Sequence, residues 1–70
     1  MIIIEHTYTT VTNILYYSEH AIDKGLEETM IGNMDDIAGH VCEILVRHNF
    51  SKADVIDVYT GEIIMIITRE

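Results

Sequence analysis

Four histidines and one cysteine are the residues of this sequence with the greatest capacity to bind metals or act as nucleophiles. Histidines three or four residues apart on a helix can share an ion, and His6, His20, His40 and His48 contain no such pair. His40 and Cys42 are two residues apart, so on a helix they point about 200° away from each other. The spacing therefore predicts no metal site, no Cys–His nucleophile and no bound cofactor, and it favours a packed Cys42 thiol.

Other catalytic patterns are equally weak in this sequence. The four glycines are isolated from one another, so no glycine-rich loop is available to hold phosphate. No serine lies in the context of a nucleophile elbow. Carboxylates occur in adjacent pairs, Glu27-Glu28 and Asp35-Asp36, but adjacent exposed carboxylates are usually just solvated. We expect no catalytic residues and no enzymatic activity.

Charge is the most informative surface property of the chain. Twelve acidic and four basic residues give a formal charge of −8. The middle of the sequence carries the acidic residues predicted to bind a partner: Glu19, Asp23, Glu27, Glu28, Asp35 and Asp36. On a helix, Glu19, Asp23 and Glu27 would form a ladder with one carboxylate per turn, about 6 Å apart. Such a surface fits a basic groove, although the alternative is a face that only keeps a small apolar protein in solution.

The same charge restricts the partners. Only Lys24, Arg47, Lys52 and Arg69 are basic, which disfavours direct binding of nucleic acid. In size and charge, the chain resembles the phage-encoded inhibitors of bacterial defence nucleases that mimic DNA. The resemblance implies a viral, anti-defence protein. The function predicted first is therefore a small acidic, non-catalytic binding or inhibitor protein that occupies a basic surface of a nuclease or another nucleic-acid-binding protein.

An alternative function uses the aromatic and basic residues instead of the acidic ones. A homo-oligomeric module could bind or sequester a small ligand such as a nucleotide between its subunits. Tyr16, Tyr17 and Tyr59 would then stack on the base. Arg47 and Arg69 would hold the phosphate.

The elements that would position these residues follow from the pattern of apolar residues. Seventy residues are enough for a single domain, residues 1–70. Met1 to Tyr8 is predicted to form a strand, and residues 11–24 a first helix that ends near Gly25. Leu26 to Gly32 is predicted to be a loop.

The second half of the chain has clearer signals. Asn33 as a cap and apolar residues at helical spacing predict a second helix over residues 34–48, with Asn49 in a left-handed conformation at its end. Thr60-Gly61 predicts a hairpin turn between strands Asp54–Tyr59 and Glu62–Thr68. Ile63 to Ile67 is apolar on both faces, which is typical of a central strand.

These elements predict an α+β fold in the order strand-helix-helix-strand-strand. A three-stranded, largely antiparallel sheet would carry both helices on one face. The predicted core combines one face of the second helix with one face of the hairpin: Ile37, Val41, Leu45, Ile56, Val58 and Ile64. Because no element is left for the other face of the sheet, we expect a homodimer or larger homo-oligomer, in which two copies join through their sheet faces or through their sheet edges.

The sequence also bears on where the protein is located. Its longest apolar stretch, Ile63 to Ile67, is much shorter than the roughly 20 residues of a membrane-spanning helix. Its start has no basic region followed by an apolar one, as a secretory signal would. We therefore expect a cytoplasmic protein without a membrane partner.

Overall fold

The computed structural model describes residues 9–69, which form a four-stranded antiparallel sheet and one helix. The strands are β1 (Thr10–Tyr17), β2 (Leu26–Gly32), β3 (Lys52–Asp57) and β4 (Ile63–Thr68), and the helix is α1 (Met34–Arg47). They lie side by side in the order β2-β1-β3-β4. The α+β class is confirmed, and its details differ from the prediction. The predicted strand Met1 to Tyr8 lies outside the described residues.

The first predicted helix, residues 11–24, is wrong. Thr10 to Tyr17 forms β1, and the rest of that segment connects β1 to β2. Thr12, Ile14 and Tyr16 are fully buried in alternation with partly buried neighbours, which is the period of a strand. β-branched and aromatic side chains favour this pleated arrangement.

The predicted loop, Leu26 to Gly32, is also wrong, because it forms β2. This strand pairs along its whole length with β1, from Tyr16 opposite Leu26 to Thr10 opposite Gly32. Its sequence has few strand-forming residues, so the pairing with β1 decides its structure.

The predicted second helix is confirmed as α1. The Asn33 side chain accepts a hydrogen bond from Asp36 N over 2.8 Å, which caps the first turn. Asn49 has a φ of 59° just past the end of the helix, as predicted. No helix in residues 9–69 has the length and apolar character needed to cross a membrane.

The predicted hairpin is confirmed as β3 and β4, with a longer connection than expected. The strands are joined by Val58 to Glu62, where Gly61 has a φ of 76° that favours glycine. Asp57 Oδ1 accepts a hydrogen bond from Tyr59 N over 2.8 Å and so holds the turn.

The core lies between α1 and one face of the sheet. Ile37, Val41 and Leu45 of α1 are buried, as predicted. The strand residues that meet them are Ile14, Tyr16, Ala53 and Val55. The sheet face that carries these four residues and packs on α1 is called the helix-facing side below, and the opposite one is called the open face.

Three predicted core residues are misplaced. Ile56 is partly buried on the open face, Val58 is 50% exposed and Ile64 is 39% exposed. Both alternating sets of side chains in β3 contain apolar residues, so composition does not decide which set faces inward. Val55 lies opposite the buried Ile14, and this pairing turns Val55 instead of Ile56 toward the helix.

Candidate functional site

The six acidic residues predicted to bind a partner lie on β2 or on the segments that lead into it and out of it. We call this set the acidic border. Glu19 and Asp23 are in the connection before β2, Glu27 and Glu28 are on β2, and Asp35 and Asp36 are in the first turn of α1. Because β2 leads directly into α1, the border extends over the length of the strand, about 20 Å.

The helical ladder of Glu19, Asp23 and Glu27 is wrong, because these residues are not on a helix. Glu19 and Asp23 lie in an exposed connection, and Glu27 follows on a strand. The 6 Å spacing expected from helical turns therefore does not apply to them. What the acidic residues share is their position on or next to β2, which lies at an edge of the described sheet.

Glu27 and Glu28 project to opposite sides of β2, as adjacent residues on a strand do. Asn13 Nδ2 donates a hydrogen bond to Glu27 Oε2 over 2.6 Å, and Lys24 Nζ lies 3.5 Å from Glu27 Oε1. The Asn13 hydrogen bond, aided by the charge of Lys24, lowers the pKa of Glu27 from its ordinary value. Glu27 is therefore ionised at neutral pH.

Glu28 belongs to a polar cluster that the sequence did not indicate. It accepts hydrogen bonds from Tyr16 Oη over 2.7 Å and from His40 Nε2 over 2.9 Å. Tyr16 comes from β1 and His40 from α1, so Glu28 joins three elements of the fold. The three residues are far apart in the chain and match no spacing motif, so only the fold reveals them.

The ring of Tyr16 packs against the ring of Phe50. The two ring centroids are 5.6 Å apart in a stacked arrangement. A Cβ atom at Gly25 would lie 2.7 Å from Phe50 Cε1, so the glycine leaves room for this ring. Tyr16 is thus an integral part of the core.

Replacing Tyr16 with phenylalanine should lower the free energy of unfolding by about 1.5–3 kcal/mol at neutral pH, because the hydrogen bond to a carboxylate is lost. The variant should also change how the free energy of unfolding depends on pH in the alkaline range. Burial, followed by the hydrogen bond and the charge of Glu28, raises the pKa of Tyr16 well above its ordinary value. The neutral phenol therefore stabilises the folded state. Its full contribution is present below about pH 10, which is the pKa of tyrosine in the unfolded chain, and it decreases as the pH rises further.

Denaturant unfolding between pH 8 and pH 11.5 measures this effect. The wild type should lose stability above about pH 10 more steeply than Tyr16→Phe. Tyr59→Phe, which changes a tyrosine that is 81% exposed, should behave like the wild type. If the free energy of unfolding fell equally with pH in the wild type and in Tyr16→Phe, the role assigned to this hydroxyl would be contradicted.

The basic residues of the chain are already engaged within the described structure. Lys24 lies by Glu27, Arg47 pairs with Glu43, and Lys52 Nζ is 3.7 Å from Asp54 Oδ1. Arg69 donates to the backbone oxygen of Leu45 and to Asn49 Oδ1. Lys24 is the only one of these four cations between Glu19 and Asp36 in the chain, so this stretch carries six carboxylates and one lysine.

The residues of the alternative, ligand-binding prediction are not gathered into one site. Tyr16 is buried, and Tyr17 lies on the opposite face of β1. Tyr59 lies in the connection after β3, at the end of that strand away from Tyr17. Arg47 and Arg69 are both near the end of α1, where each already has the partners given above.

A surface pocket of about 400 Å³ lies at the end of the sheet beside Tyr17. Lys52 Nζ is 4.9 Å from the centre of the Tyr17 ring, a cation–π arrangement. Ser51 and several residues of the β1–β2 connection line the rest of it: Ser18, His20, Ala21 and Ile22. Lys52 is the one basic residue in its lining, and it already lies next to the Tyr17 ring and Asp54.

The cysteine is exposed, so the predicted packed Cys42 thiol is wrong. It follows Val41 on α1, which places it on the side of the helix away from the core. Within residues 9–69, the histidine, cysteine and acidic side chains form no group of three or more that could bind a metal ion.

Comparison of the chain with protein-family models, curated proteins and solved structures yields no match. Its function is therefore inferred from its own residues.

Proposed function

We propose that this chain is a small acidic binding protein, without catalytic activity, that occupies a basic surface of a macromolecular partner. The observation that carries the proposal is the acidic border, where six carboxylates lie on β2 and the segments that flank it, with Lys24 as the single lysine in that stretch of the chain. A surface of this kind steers association with a positively charged partner and favours it over other proteins.

The exposure of the border supports this role. Glu19, Asp23, Glu27, Asp35 and Asp36 are all exposed. Exposed single ion pairs contribute little, about 0–1 kcal/mol each, so several of these carboxylates must act together. The extended border makes that possible, since its carboxylates are spread over the length of β2, about 20 Å.

The partner class follows from the chemistry of the border. Basic grooves are typical of proteins that bind nucleic acid, because these grooves neutralise phosphates. We therefore propose a nuclease or another nucleic-acid-binding protein as the partner. An inhibitor of a host defence nuclease, as phages produce, would act in this way.

The engaged cations favour this function over the nucleotide-binding alternative. A phosphate group needs positive charge in its site. Each of the four basic residues is held by acceptors of the chain itself, and Tyr16 is closed off in the core. Of the six carboxylates of the border, in contrast, all but Glu28 are exposed.

The test is an affinity capture from the natural host, followed by binding measurements with the captured protein. The border variant Glu19→Gln/Asp23→Asn should bind about tenfold more weakly than the wild type, since two ion pairs are lost. The control variant Glu43→Gln/Glu62→Gln removes the same charge from exposed positions outside the border and should bind like the wild type.

Two further measurements test whether the protein occupies a basic, nucleic-acid-binding surface of its partner. Binding should weaken steeply with salt, because exposed charges are screened over about 8–10 Å at physiological ionic strength. Double-stranded DNA should displace the protein from its partner. Equal binding by the border and control variants, or binding that is insensitive to salt, would show that the border only keeps the protein in solution.

A further inference from the structure

Strand β4 has the sequence of a central strand and the position of an edge strand. Ile63 to Ile67 is apolar on both faces, which led us to predict that other elements flank it. In the described sheet, β4 pairs with β3 on one side and is the last strand on the other. The prediction of a central strand is therefore wrong for the described sheet. The backbone groups on the outer side of β4 have no strand partner among residues 9–69.

The hydrogen bonds next to β4 show which of its backbone groups point outward. Arg69 N donates a hydrogen bond to Ser51 O over 2.9 Å, and Ser51 directly precedes β3. Arg69 therefore directs its backbone groups toward β3. Backbone direction alternates along an antiparallel strand. Ile67 and Met65 therefore also bond toward β3, while Ile66 and Thr68 direct their N–H and C=O groups to the edge where no described strand pairs.

The side chains at this edge are apolar and exposed. Ile63 is 52% exposed, Ile64 39% and Ile66 58%. A β-bulge where Val55 is followed by Ile56 places both Ile63 and Ile64 near the same point of β3. The bulge lies at the start of β4, so Met65 to Thr68 remains regular and available for pairing.

Charge distinguishes the two edges of the described sheet. The β2 edge bears the acidic border, and like charges placed opposite each other across strands are destabilising. Strand β4, Ile63–Thr68, contains no charged residue, no proline and no glycine. Short segments of this composition pair readily with identical copies of themselves. In a chain with a net charge of −8, β4 is the edge at which a second copy is least repelled.

We propose that β4 pairs antiparallel with β4 of a second copy of this chain, with Ile66 opposite Thr68 of the second copy. This register forms about four backbone hydrogen bonds from the regular part of both strands. It joins the two sheets into one of eight strands. The two β2 strands then lie about 34 Å apart, at seven strand spacings of about 4.8 Å, which is several times the screening length in physiological salt.

The assembly is tested on the full chain by light scattering over a range of concentrations. A single strand pair is a small interface, so we expect the mass to rise from 8.0 kDa toward twice that value at about 10–100 μM. Amide hydrogen exchange at Ile66 and Thr68 should slow in parallel with the rise in mass. A dimer that packs through the sheet faces would leave these two amides unprotected.

A matched pair of variants separates the two edges. Ile66→Lys places a charge at the β4 edge and should keep the protein monomeric. Ile31→Lys makes the same change on the same face at the β2 edge, where Ile31 is 69% exposed, and should leave dimerisation unchanged. Thr68→Pro removes an outward N–H that bonds no described strand, and it should also prevent dimerisation while circular dichroism shows an intact fold.

Several results would overturn the proposal. A monomer at 100 μM with rapidly exchanging Ile66 and Thr68 amides would show that the edge stays free. A monomer with these amides protected would show that another part of the same chain covers it. A dimer that forms equally well in Ile66→Lys and Thr68→Pro would place the interface elsewhere.

Discussion

Replacing Leu45 with alanine should lower the free energy of unfolding by about 2–5 kcal/mol. Leu45 is 2% exposed and lies near the end of α1, where it packs between the helix and the sheet. The substitution removes buried methyl groups and leaves a cavity that a small core closes only in part. Since a chain of this length has a total stability of only about 4–10 kcal/mol, most of it would be lost.

Val46→Ala is the control for this prediction. Val46 follows Leu45 on α1 and is 67% exposed. Truncating an exposed side chain usually changes the free energy of unfolding by less than about 0.5 kcal/mol. Denaturant unfolding of both variants is the measurement. An equal loss in the two would show that the helix is rotated relative to the structure described above.

Val55→Asp should prevent stable folding. Val55 is fully buried opposite Ile14, at the centre of the core. A carboxylate there would lose its hydration without gaining a charged partner, a change that costs more than about 4 kcal/mol. We expect circular dichroism and amide NMR dispersion typical of an unfolded chain.

Val58→Asp is the matched control, because it makes the same substitution three residues later. Val58 is 50% exposed in the connection after β3, so we expect the variant to fold, with a loss below about 1 kcal/mol. This pair of variants also decides which face of β3 points inward. If Val55→Asp folded and Val58→Asp did not, the side chains of Ile56 and Val58 would face the core, as predicted from the sequence.

Helix α1 and the hairpin were predictable because their signals are local. Asn33 caps the helix through contacts within one turn, and the apolar residues of α1 repeat at helical spacing on one face. Asp57 and Gly61 shape the β3–β4 connection through bonds that span a few residues. Such features depend on neighbours in the chain and do not require the rest of the fold.

The region between Thr10 and Gly32 was mispredicted because its pattern fits two structures. Val11, Ile14 and Leu15 fall at helical spacing, while Thr12, Ile14 and Tyr16 alternate as a strand does. A helix would leave Thr12 and Tyr16 outside the core. β1 instead lies between β2 and β3, and the hydrogen bonds to both neighbours favour the strand.

By itself, the sequence determined the net charge of this protein, the position of α1 and its apolar face, and the hairpin. The tertiary structure decided which residues meet. It placed the acidic residues along β2, brought Tyr16, Glu28 and His40 together from three elements, and left β4 at an edge of the described sheet. The physical reason is that caps, turns and helical periodicity act within a few residues, whereas strand pairing joins residues distant in the chain. The same apolar segment is central or peripheral depending on which strand pairs beside it.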